Sequence, residues 1–373
     1  MRVLILGPDH PGGSLPPYLD TLAAGLRRYG VTVARHGSTQ IPYDPGRGRF
    51  WPLHRVLTAA RALADQVDPD AYDLVSLHFG NLEYDQLVPA MWAGRPRPPV
   101  IYHVHTLAPT LFRNHVPSQH WNHAARQTIR SADGYVYFGQ HARRKLTGTA
   151  AAAAPGGVAW LPTTIPDGTA PAARPALAAA LNAPSGLPVI SLYGYAAPWK
   201  DAALLHAALE RMQIPVRMVL AGDFWDDPEQ AGLDLAHATS PVRIGVGELV
   251  VVPGYLGPSD RAALVRLSVA GVFPYRPHAS FQGSGAIADY LAHAVPVVAT
   301  EVANMAELAG NAGHIVPTGD PEALATALDG CGAAASLTRN ATARAQRFTA
   351  EAHAARCLTV YQQVLDHDRR RTA

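Results

Sequence analysis

Short, continuously apolar segments alternate with segments of helical spacing along this 373-residue chain. Uninterrupted apolar runs are typical of parallel strands that are buried on both faces. An apolar stripe of Leu15, Leu19, Leu22 and Leu26 predicts a first helix that stops at Gly30. The candidate strands are residues 3–6, 31–34, 74–77, 100–103, 135–138, 158–161, 189–192, 216–221, 249–252, 271–273, 297–299 and 315–316. This alternation predicts the α/β class, with an open parallel sheet in each half of the chain.

The composition indicates where the halves meet. Residues 163–188 are rich in Pro and Ala and poor in large apolar side chains, which predicts a linker with a short helix at 176–181. We therefore expect two doubly wound Rossmann-like domains that face a central cleft. Their predicted bounds are an N-terminal domain 1–168, a linker 169–187, a C-terminal domain 188–345, and a helical tail 346–373 that packs back on the N-terminal domain.

Charge and composition exclude several classes of protein. The chain carries 31 Lys and Arg against 29 Asp and Glu, which is too balanced for a protein whose main partner is nucleic acid. Its 2 Cys cannot build a disulfide framework. No apolar run approaches the roughly 18 residues of a membrane span, and the first apolar run is too short for a signal sequence. We expect a cytoplasmic protein without a membrane span. The sequence leaves the oligomeric state undecided, with a homodimer as one alternative.

Three loops that follow predicted strands carry residues suited to binding phosphate. Arg has replaced Lys almost everywhere, so Lys200 is informative, and a cation after the first strand of the second half can neutralise a phosphate. Gly12 and Gly13 let backbone amides approach a ligand, although the dinucleotide spacing G-x-G-x-x-G is absent. The run Gly283-Ser284-Gly285 opens a predicted helix, whose first N–H groups can bind an anion.

These motifs together resemble a known family. The segments 7–14, 73–78 and 99–105, with the stretches 194–200, 252–256, 283–300 and 302–320, are similar to retaining glycosyltransferases of the GT-B fold. The resemblance is to the large fourth family of sugar-nucleotide transferases and covers roughly residues 1–365. It implies the GT-B fold and transfer of a sugar from a nucleotide diphosphate sugar, which is the donor substrate, without a further cofactor.

The resemblance also implies roles for single residues. His105 would face the donor sugar and Lys200 would bind the diphosphate, so these two are the predicted catalytic residues. Asp289 would hold the ribose of the donor. The remaining predicted donor-binding residues are Gly12, Gly13, Gly254, Gln282, Gly283, Ser284, Gly285 and, as a substitute cation, Arg276.

Two departures from the family pattern leave alternatives open. The family's Arg beside the phosphates falls at Tyr195, and the first Glu of its paired motif falls at Gln282, or at Phe281 if the spacing is kept. Arg276 is the proposed replacement for the missing charge. The alternative is a pseudo-glycosyltransferase, a non-catalytic nucleotide-sugar-binding or partner subunit. A GT-B epimerase is a third reading, but it lacks a distinctive acid–base pair.

The acceptor side is less defined. We expect His10, Asn81, Glu83 and Asp85 to border a small-molecule acceptor, and the carboxylates could hold an amino group. An aminosugar, aminocyclitol or nucleoside of natural-product (antibiotic) biosynthesis would fit. His10 could also serve as the base of an inverting enzyme, but the longer resemblance favours retention.

A metal site is not expected from the histidines. The chain has 17 His, and several lie close together in sequence. No carboxylate joins His103 and His105 at a typical ligand spacing.

Overall fold

A computed structural model describes most of the chain. The described residues are 1–10, 13–44, 49–80, 83–94, 96–107, 123, 126–146, 154–182, 186–194, 198–223, 241–278, 281, 283–331 and 335–372. They divide into two compact units: unit 1 comprises Met1–Trp160, Ala279–Gln282 and Ala350–Ala373, and unit 2 comprises Leu161–His278 and Gly283–Thr349.

The strands, numbered in chain order, are short and mostly buried. They are β1 Arg2–Leu6, β2 Thr32–His36, β3 Tyr43–Asp44, β4 Arg49–Phe50, β5 Leu74–Leu77, β6 Val100–His103, β7 Gly134–Tyr137, β8 Gly156–Val158, β9 Val189–Tyr193, β10 Arg217–Gly222, β11 Val242–Ile244, β12 Gly247–Pro253, β13 Ser268–Phe273, β14 Val297–Thr300 and β15 Gly313–Val316.

The α-helices connect these strands. They are α1 Leu15–Arg28, α2 Leu53–Asp65, α3 Val88–Met91, α4 Gln140–Leu146, α5 Pro175–Leu181, α6 Ala202–Leu209, α7 Pro258–Leu267, α8 Gly285–Ala292, α9 Met305–Ala309, α10 Pro321–Cys331, α11 Ala335–Ala345 and α12 Ala350–Thr372. Among the described residues, no helix combines the length and apolar character that a membrane span requires.

Unit 1 is built on a six-stranded sheet in the order β2-β1-β5-β6-β7-β8. Its strands pair in parallel, and the residues of β1 from Val3 to Leu6 are fully buried because helices cover both faces. The last helix, α12, packs closely on α1. A side chain at Gly25 would collide with the backbone of Ala350, so glycine is needed where these two helices meet.

Unit 2 contains a seven-stranded sheet in the order β11-β12-β10-β9-β13-β14-β15, in which β11 alone runs antiparallel. The segment expected as a linker contributes α5 to this unit. Leu177 of α5 is fully buried, and the Arg217 guanidinium donates a 2.8 Å hydrogen bond to the carbonyl of Ala180.

The predicted α/β class and the parallel sheet in each half are confirmed. The prediction of a strand at 158–161 was wrong, since the strand there is β8 at Gly156–Val158. The short strands β3, β4 and β11 were not predicted.

Candidate functional site

The strand order of unit 2 reverses beside β9. The chain adds β10 on one side of β9 and later β13 on the other, so the loops that follow β9 and β13 diverge at a topological switch point. Ligands of open α/β sheets bind beyond the carboxyl ends of strands at such points. The loop after β9 leads to Lys200, and the loop after β13 contains Arg276 and leads to α8.

Lys200 is half-buried at this switch point. Its ammonium group donates a 3.3 Å hydrogen bond to the carbonyl of Tyr193, the last residue of β9. In the described part of the chain no carboxylate pairs with it, and burial lowers the pKa of Lys200 to about 7. Gly194 has a φ of +108°, and a side-chain carbon there would lie 3.0 Å from the Lys200 nitrogen, so glycine makes room for the cation.

Arg276 lies beside the segment that carries Lys200. Its backbone N–H donates a 2.8 Å hydrogen bond to the carbonyl of Trp199, and the Trp199 ring contacts that of His278 at 5.0 Å between centroids. The guanidinium is exposed and lies 3.6 Å from a carboxylate oxygen of Asp201. A second cation is therefore brought next to the Lys200 segment, although it is shared with Asp201.

The glycine-rich run opens α8 as the sequence predicts. Gly283 packs against buried Asn304, whose amide would collide with any side chain at position 283. Ser284 precedes the helix, and its hydroxyl lies 3.4 Å from that of Tyr275 rather than capping the first turn. The first N–H groups of a helix lack intrahelical acceptors and carry the positive end of its dipole, so this end of α8 suits an anion.

Gly254 is held by an arginine that the sequence analysis missed. It has a φ of +96° after β12 and accepts a 3.1 Å hydrogen bond from the Arg174 guanidinium. The same guanidinium donates to the carbonyls of Pro253 at 2.6 Å and Tyr255 at 3.0 Å. Arg174 thus orders the turn that contains Gly254, a predicted donor-binding residue.

Asp289, which is predicted to contact the ribose, lies in a buried polar cluster. The side chain is fully buried on α8, and its carboxylate accepts hydrogen bonds from the Thr163 hydroxyl at 2.6 Å and the Thr164 N–H at 2.7 Å. Tyr193 also donates to it, and the Arg261 guanidinium lies at 3.4 Å. We call Asp289, Thr163, Thr164, Tyr193 and Arg261 the Asp289 cluster. These contacts hold the Asp289 carboxylate in place, and its contact with the ribose stays a prediction.

Asp85, a predicted acceptor-side residue, is also held by buried hydrogen bonds, and its acceptor role stays a prediction. Asp85 is fully buried, and its carboxylate accepts hydrogen bonds from the N–H of Ser38 at 2.8 Å and its hydroxyl at 2.5 Å. Burial raises the pKa of Asp85 to about 7, against the opposing effect of the Ser38 hydrogen bonds. Asp85 therefore orders the turn after β2.

Glu83 and His10 occupy loops at the carboxyl edge of the unit 1 sheet. The Glu83 carboxylate accepts a 2.7 Å hydrogen bond from the N–H of Gly80, in the loop after β5. His10 is half-buried after β1, next to Gly13, which has a φ of +86°. Its neighbour Asp9 forms a 3.1 Å ion pair with Arg35, which leaves Asp9 poorly suited to orient His10. The roles of Glu83 and His10 stay predictions.

His105 ends a polar group at the same edge. Its Nε2 lies 3.1 Å from Nδ1 of His78, and its ring packs on those of Tyr18 and Phe138 at 4.9 and 4.8 Å. Burial lowers the pKa of His105 to about 3, so the imidazole is neutral. A neutral imidazole suits a hydroxyl group better than a phosphate.

One group of side chains has the composition of a metal site. Ligand atoms of His103, His353 and Cys357 lie within 4.8 Å of one another in unit 1. The Tyr18 hydroxyl lies between the two imidazoles, at 2.8 Å from His103 Nδ1 and 2.8 Å from His353 Nε2. Hydrogen bonds therefore already use these imidazole nitrogens, and the arrangement favours a polar network over a metal centre.

Four of the residues singled out from the sequence, Gly12, Asn81, Tyr195 and Gln282, lie outside the described residues. The sequence analysis also missed Arg261 and Tyr361. Arginines are common in this chain, and Tyr361 looks like one more apolar residue of a helical stripe, so neither stood out.

Comparisons with known proteins agree with this architecture. Residues 188–331 match the family model described as Glycosyl transferases group 1. No curated protein sequence matches the chain. Among solved structures, sucrose-phosphate synthase from Thermosynechococcus elongatus is 16% identical, with 98% of this chain and 99% of that chain covered and a TM-score of 0.69.

Two further structures are similar over their full lengths. Anabaena Alr3699/HepE in complex with UDP-glucose is 17% identical, with 98% of each chain covered and a TM-score of 0.65. The α,α-trehalose 6-phosphate synthase from Burkholderia multivorans is 14% identical, with 100% of this chain and 98% of that chain covered and a TM-score of 0.65. The predicted GT-B fold is thereby confirmed.

Proposed function

We propose that this protein is a glycosyltransferase that moves a sugar from a nucleoside diphosphate sugar to a small-molecule acceptor. The family match at 188–331 contains Lys200, Gly254, Arg276 and the Gly283–Gly285 run, which supports donor binding by unit 2. The likeness to HepE, solved with UDP-glucose, and to two sugar-phosphate synthases supports a sugar nucleotide as donor.

The observation that carries this proposal is the environment of Lys200. Burying an ammonium without a counter-charge is costly, which is why its pKa is lowered to about 7. A bound diphosphate supplies that counter-charge. At an effective dielectric near 20, a charge at ~4 Å from a phosphate is worth about 4 kcal/mol before desolvation.

The same groups would assist the reaction. Negative charge grows on the diphosphate as the sugar departs, and fixed positive groups that stabilise it lower the barrier. Lys200 and the N–H groups at the start of α8 are assigned this role. Arg276 adds to it when the incoming phosphate draws the guanidinium away from Asp201.

The acceptor and the stereochemistry belong to the same proposal. We assign the acceptor to the carboxyl edge of unit 1, near His10 and Glu83, and an aminosugar, aminocyclitol or nucleoside of natural-product biosynthesis fits the carboxylate. The resemblance to the retaining family supports retention. Proton NMR of the product tests it, because an anomeric configuration opposite to that of the donor, with an inactive His10→Ala variant, would establish inversion.

Lys200→Ala tests the phosphate site. Removing a charge-assisted contact to a partly buried anion should weaken binding of a nucleoside diphosphate by ~2–3 kcal/mol. Isothermal calorimetry with UDP, ADP and GDP measures it. The matched control is Lys145→Ala, which removes the other lysine of the chain from the exposed end of α4 and should be neutral. Equal affinities of all three proteins for every nucleotide would contradict the assignment.

The pH dependence of binding gives a second readout. The anion binds the protonated form of Lys200, so affinity should weaken as pH rises above about 7 in the parent protein. An arginine at position 200 stays protonated over this pH range, so the affinity of Lys200→Arg for the nucleotide should not weaken as the pH rises.

Turnover separates the glycosyltransferase from the non-catalytic alternative. The enzyme should release nucleoside diphosphate and form a glycoside when a panel of sugar nucleotides and amino-bearing acceptors is followed by mass spectrometry. Tight binding without turnover across the panel would favour the non-catalytic alternative.

A further inference from the structure

A continuous line of hydrogen bonds crosses unit 1 from His105 to the backbone carbonyl of Trp160. Each neighbouring pair of groups is 2.8 Å apart, except that His105 and His78 are separated by 3.1 Å. We call its side chains the histidine chain. In order, they are His105, His78, Ser76, Tyr361, His103, Tyr18 and His353.

The direction of these bonds is fixed at one end. A carbonyl can only accept, so His353 must carry its proton on Nδ1 and donate it to Trp160. In a neutral ring Nε2 is then an acceptor, and the Tyr18 hydroxyl, 2.8 Å away, must donate to it. The Cys357 thiol lies 3.4 Å from the same nitrogen and is the weaker competitor.

Every later bond follows from the first. Because Tyr18 donates to His353, its oxygen accepts from Nδ1–H of His103, and Nε2 of His103 accepts from Tyr361. The Tyr361 oxygen accepts from Ser76, and the Ser76 oxygen accepts from Nε2–H of His78.

The last link sets His105. Nδ1 of His78 must accept, so His105 carries its proton on Nε2 and donates it to His78. Nδ1 of His105 is then the acceptor of a neutral ring, and it has no hydrogen-bond partner among the described residues.

These proton positions hold when the imidazoles are neutral, and their surroundings favour the neutral form. His78, His103 and His353 are fully buried, and no carboxylate among the described residues bonds to any imidazole of the histidine chain. Burial lowers the pKa of all three, with further lowering by Arg35 near His78 and by Arg356 near His353.

We propose that the histidine chain locks His105 as the Nε2–H tautomer, so that its Nδ1 accepts a hydrogen bond from a hydroxyl group of the bound ligand. His78, Ser76, Tyr361, His103, Tyr18 and His353 are positioning residues, since they act through His105. The assignment of a hydroxyl ligand rests on the proposed function, whereas the tautomer does not. The geometry selects a hydroxyl donor over an anion at this position, because an acceptor nitrogen repels phosphate oxygens.

Nitrogen NMR of the full chain tests the tautomer directly. Long-range proton–nitrogen correlation spectra of protein labelled with ¹⁵N-histidine distinguish a protonated ring nitrogen from an unprotonated one. We expect the protonated nitrogen to be Nε2 in His105 and His78 and Nδ1 in His103 and His353. A protonated Nδ1 in His105 of the parent protein would overturn the proposal.

Tyr361→Phe tests whether the histidine chain sets that tautomer. Without the Tyr361 hydroxyl, Ser76 can donate to Nε2 of His78, which allows the protons of His78 and His105 to move to Nδ1. We expect His105 to show a mixed or reversed pattern. Tyr290→Phe is the matched control, because Tyr290 is equally buried and bonds a serine, Ser191, at 2.7 Å in unit 2. It should leave His105 unchanged.

A second variant tests the same role of the histidine chain. Tyr18→Phe removes another hydroxyl of the chain and should change the His105 tautomer as Tyr361→Phe does, so the test can still be made if one of the two variants fails to fold. An unaltered His105 in both would overturn the role of the histidine chain, and so would a stoichiometric metal ion on His103, His353 and Cys357. When a sugar nucleotide that binds the protein is added, the Nδ1 signal of His105 should shift because a hydroxyl group of that ligand donates to it. A panel without binding would contradict the proposed function, and the tautomer would still decide this inference.

Discussion

The two units bury polar groups in opposite ways. In unit 1 the histidine chain is composed of neutral rings and hydroxyls, and each group except the terminal His105 both donates and accepts. In unit 2 the Asp289 cluster places a carboxylate against a guanidinium, with Arg261 Nη1 3.4 Å from Asp289 Oδ2, and adds hydroxyl donors from threonine and tyrosine. The neutral network therefore depends on every ring keeping its tautomer, whereas the charged cluster depends on each ion keeping its partner.

The largest expected difference between the two units is in how their stability changes at acidic pH. The three fully buried imidazoles of His78, His103 and His353 have lowered pKa values, so the unfolded chain takes up protons below pH 6.5 while the folded chain does not. The free energy of unfolding of unit 1 should therefore fall as the pH falls below 6.5, by at most about 1.4 kcal/mol per pH unit for each imidazole. The contribution of His353 ends near its folded pKa of about 4.

Hydrogen exchange measured by mass spectrometry at pH 7 and pH 5 tests this difference. After correction for intrinsic exchange rates, peptides that cover β5 and β6 should lose protection before those that cover β9 and β10. Protection lost first in unit 2, or equally in both, would contradict the contrast between the two networks.

Breaking the ion pair of unit 2 should have the next largest effect. Arg261→Met leaves Asp289 buried with its counter-charge removed, which should cost about 3–5 kcal/mol in urea unfolding. The double variant with Asp289→Asn should recover much of that loss, because no buried charge remains. The control is Arg211→Met. Arg211 Nε lies 3.4 Å from the carboxylate of Glu322, and both side chains are exposed, so this variant should change the free energy of unfolding by less than about 1 kcal/mol. A similar loss for both arginines would contradict a special cost of removing Arg261 from beside the buried Asp289.

Asp85 sharpens the comparison, because it is a buried carboxylate bonded to Ser38 and lacks a cation among its described contacts. Its pKa of about 7 means that the folded protein keeps a proton that the unfolded chain releases near pH 4. This group alone therefore lowers the free energy of unfolding as the pH rises from 4 to 7.

Asp85→Asn removes this dependence. Its stability relative to the parent should rise by roughly 2 kcal/mol between pH 5 and pH 7, measured by urea unfolding. Asp366→Asn, on the exposed face of α12, should show no such change. A constant difference between Asp85→Asn and the parent would mean that Asp85 ionises normally.

Much of the fold could be read from the sequence because buried parallel strands are continuous apolar runs. β5 and β6 match their predicted bounds for this reason. β8 was misplaced because it contains Gly156 and Gly157, which lack an apolar signal. A side chain at Gly157 would lie 2.6 Å from Val360 of α12, so the strand needs glycine for a reason that is visible only in the packed unit.

Less of the candidate site could be predicted from the sequence, because the hydrogen-bond partners of its side chains are distant in the chain. Lys200 and the Gly283–Gly285 run stood out in the sequence because they follow predicted strands and have a local signature, and their roles stay predictions. The local signature of Asp289 could not predict its hydrogen bond with Thr163, because the two residues are 126 positions apart. His105 likewise depends on His78, 27 residues earlier.

The order in which the chain is synthesised gives α12 a special importance. Unit 1 takes its first strands from the beginning of the chain and its last helix from Ala350–Thr372, so all of unit 2 emerges from the ribosome before unit 1 can close. Until α12 packs, Tyr18 lacks its hydrogen bond to His353, and His103 and Ser76 lack theirs to Tyr361. These polar groups of unit 1 can then form hydrogen bonds only with water. The N-terminal half is thus synthesised first and completed last, and the arrival of α12 is the step that commits it to its native hydrogen bonds.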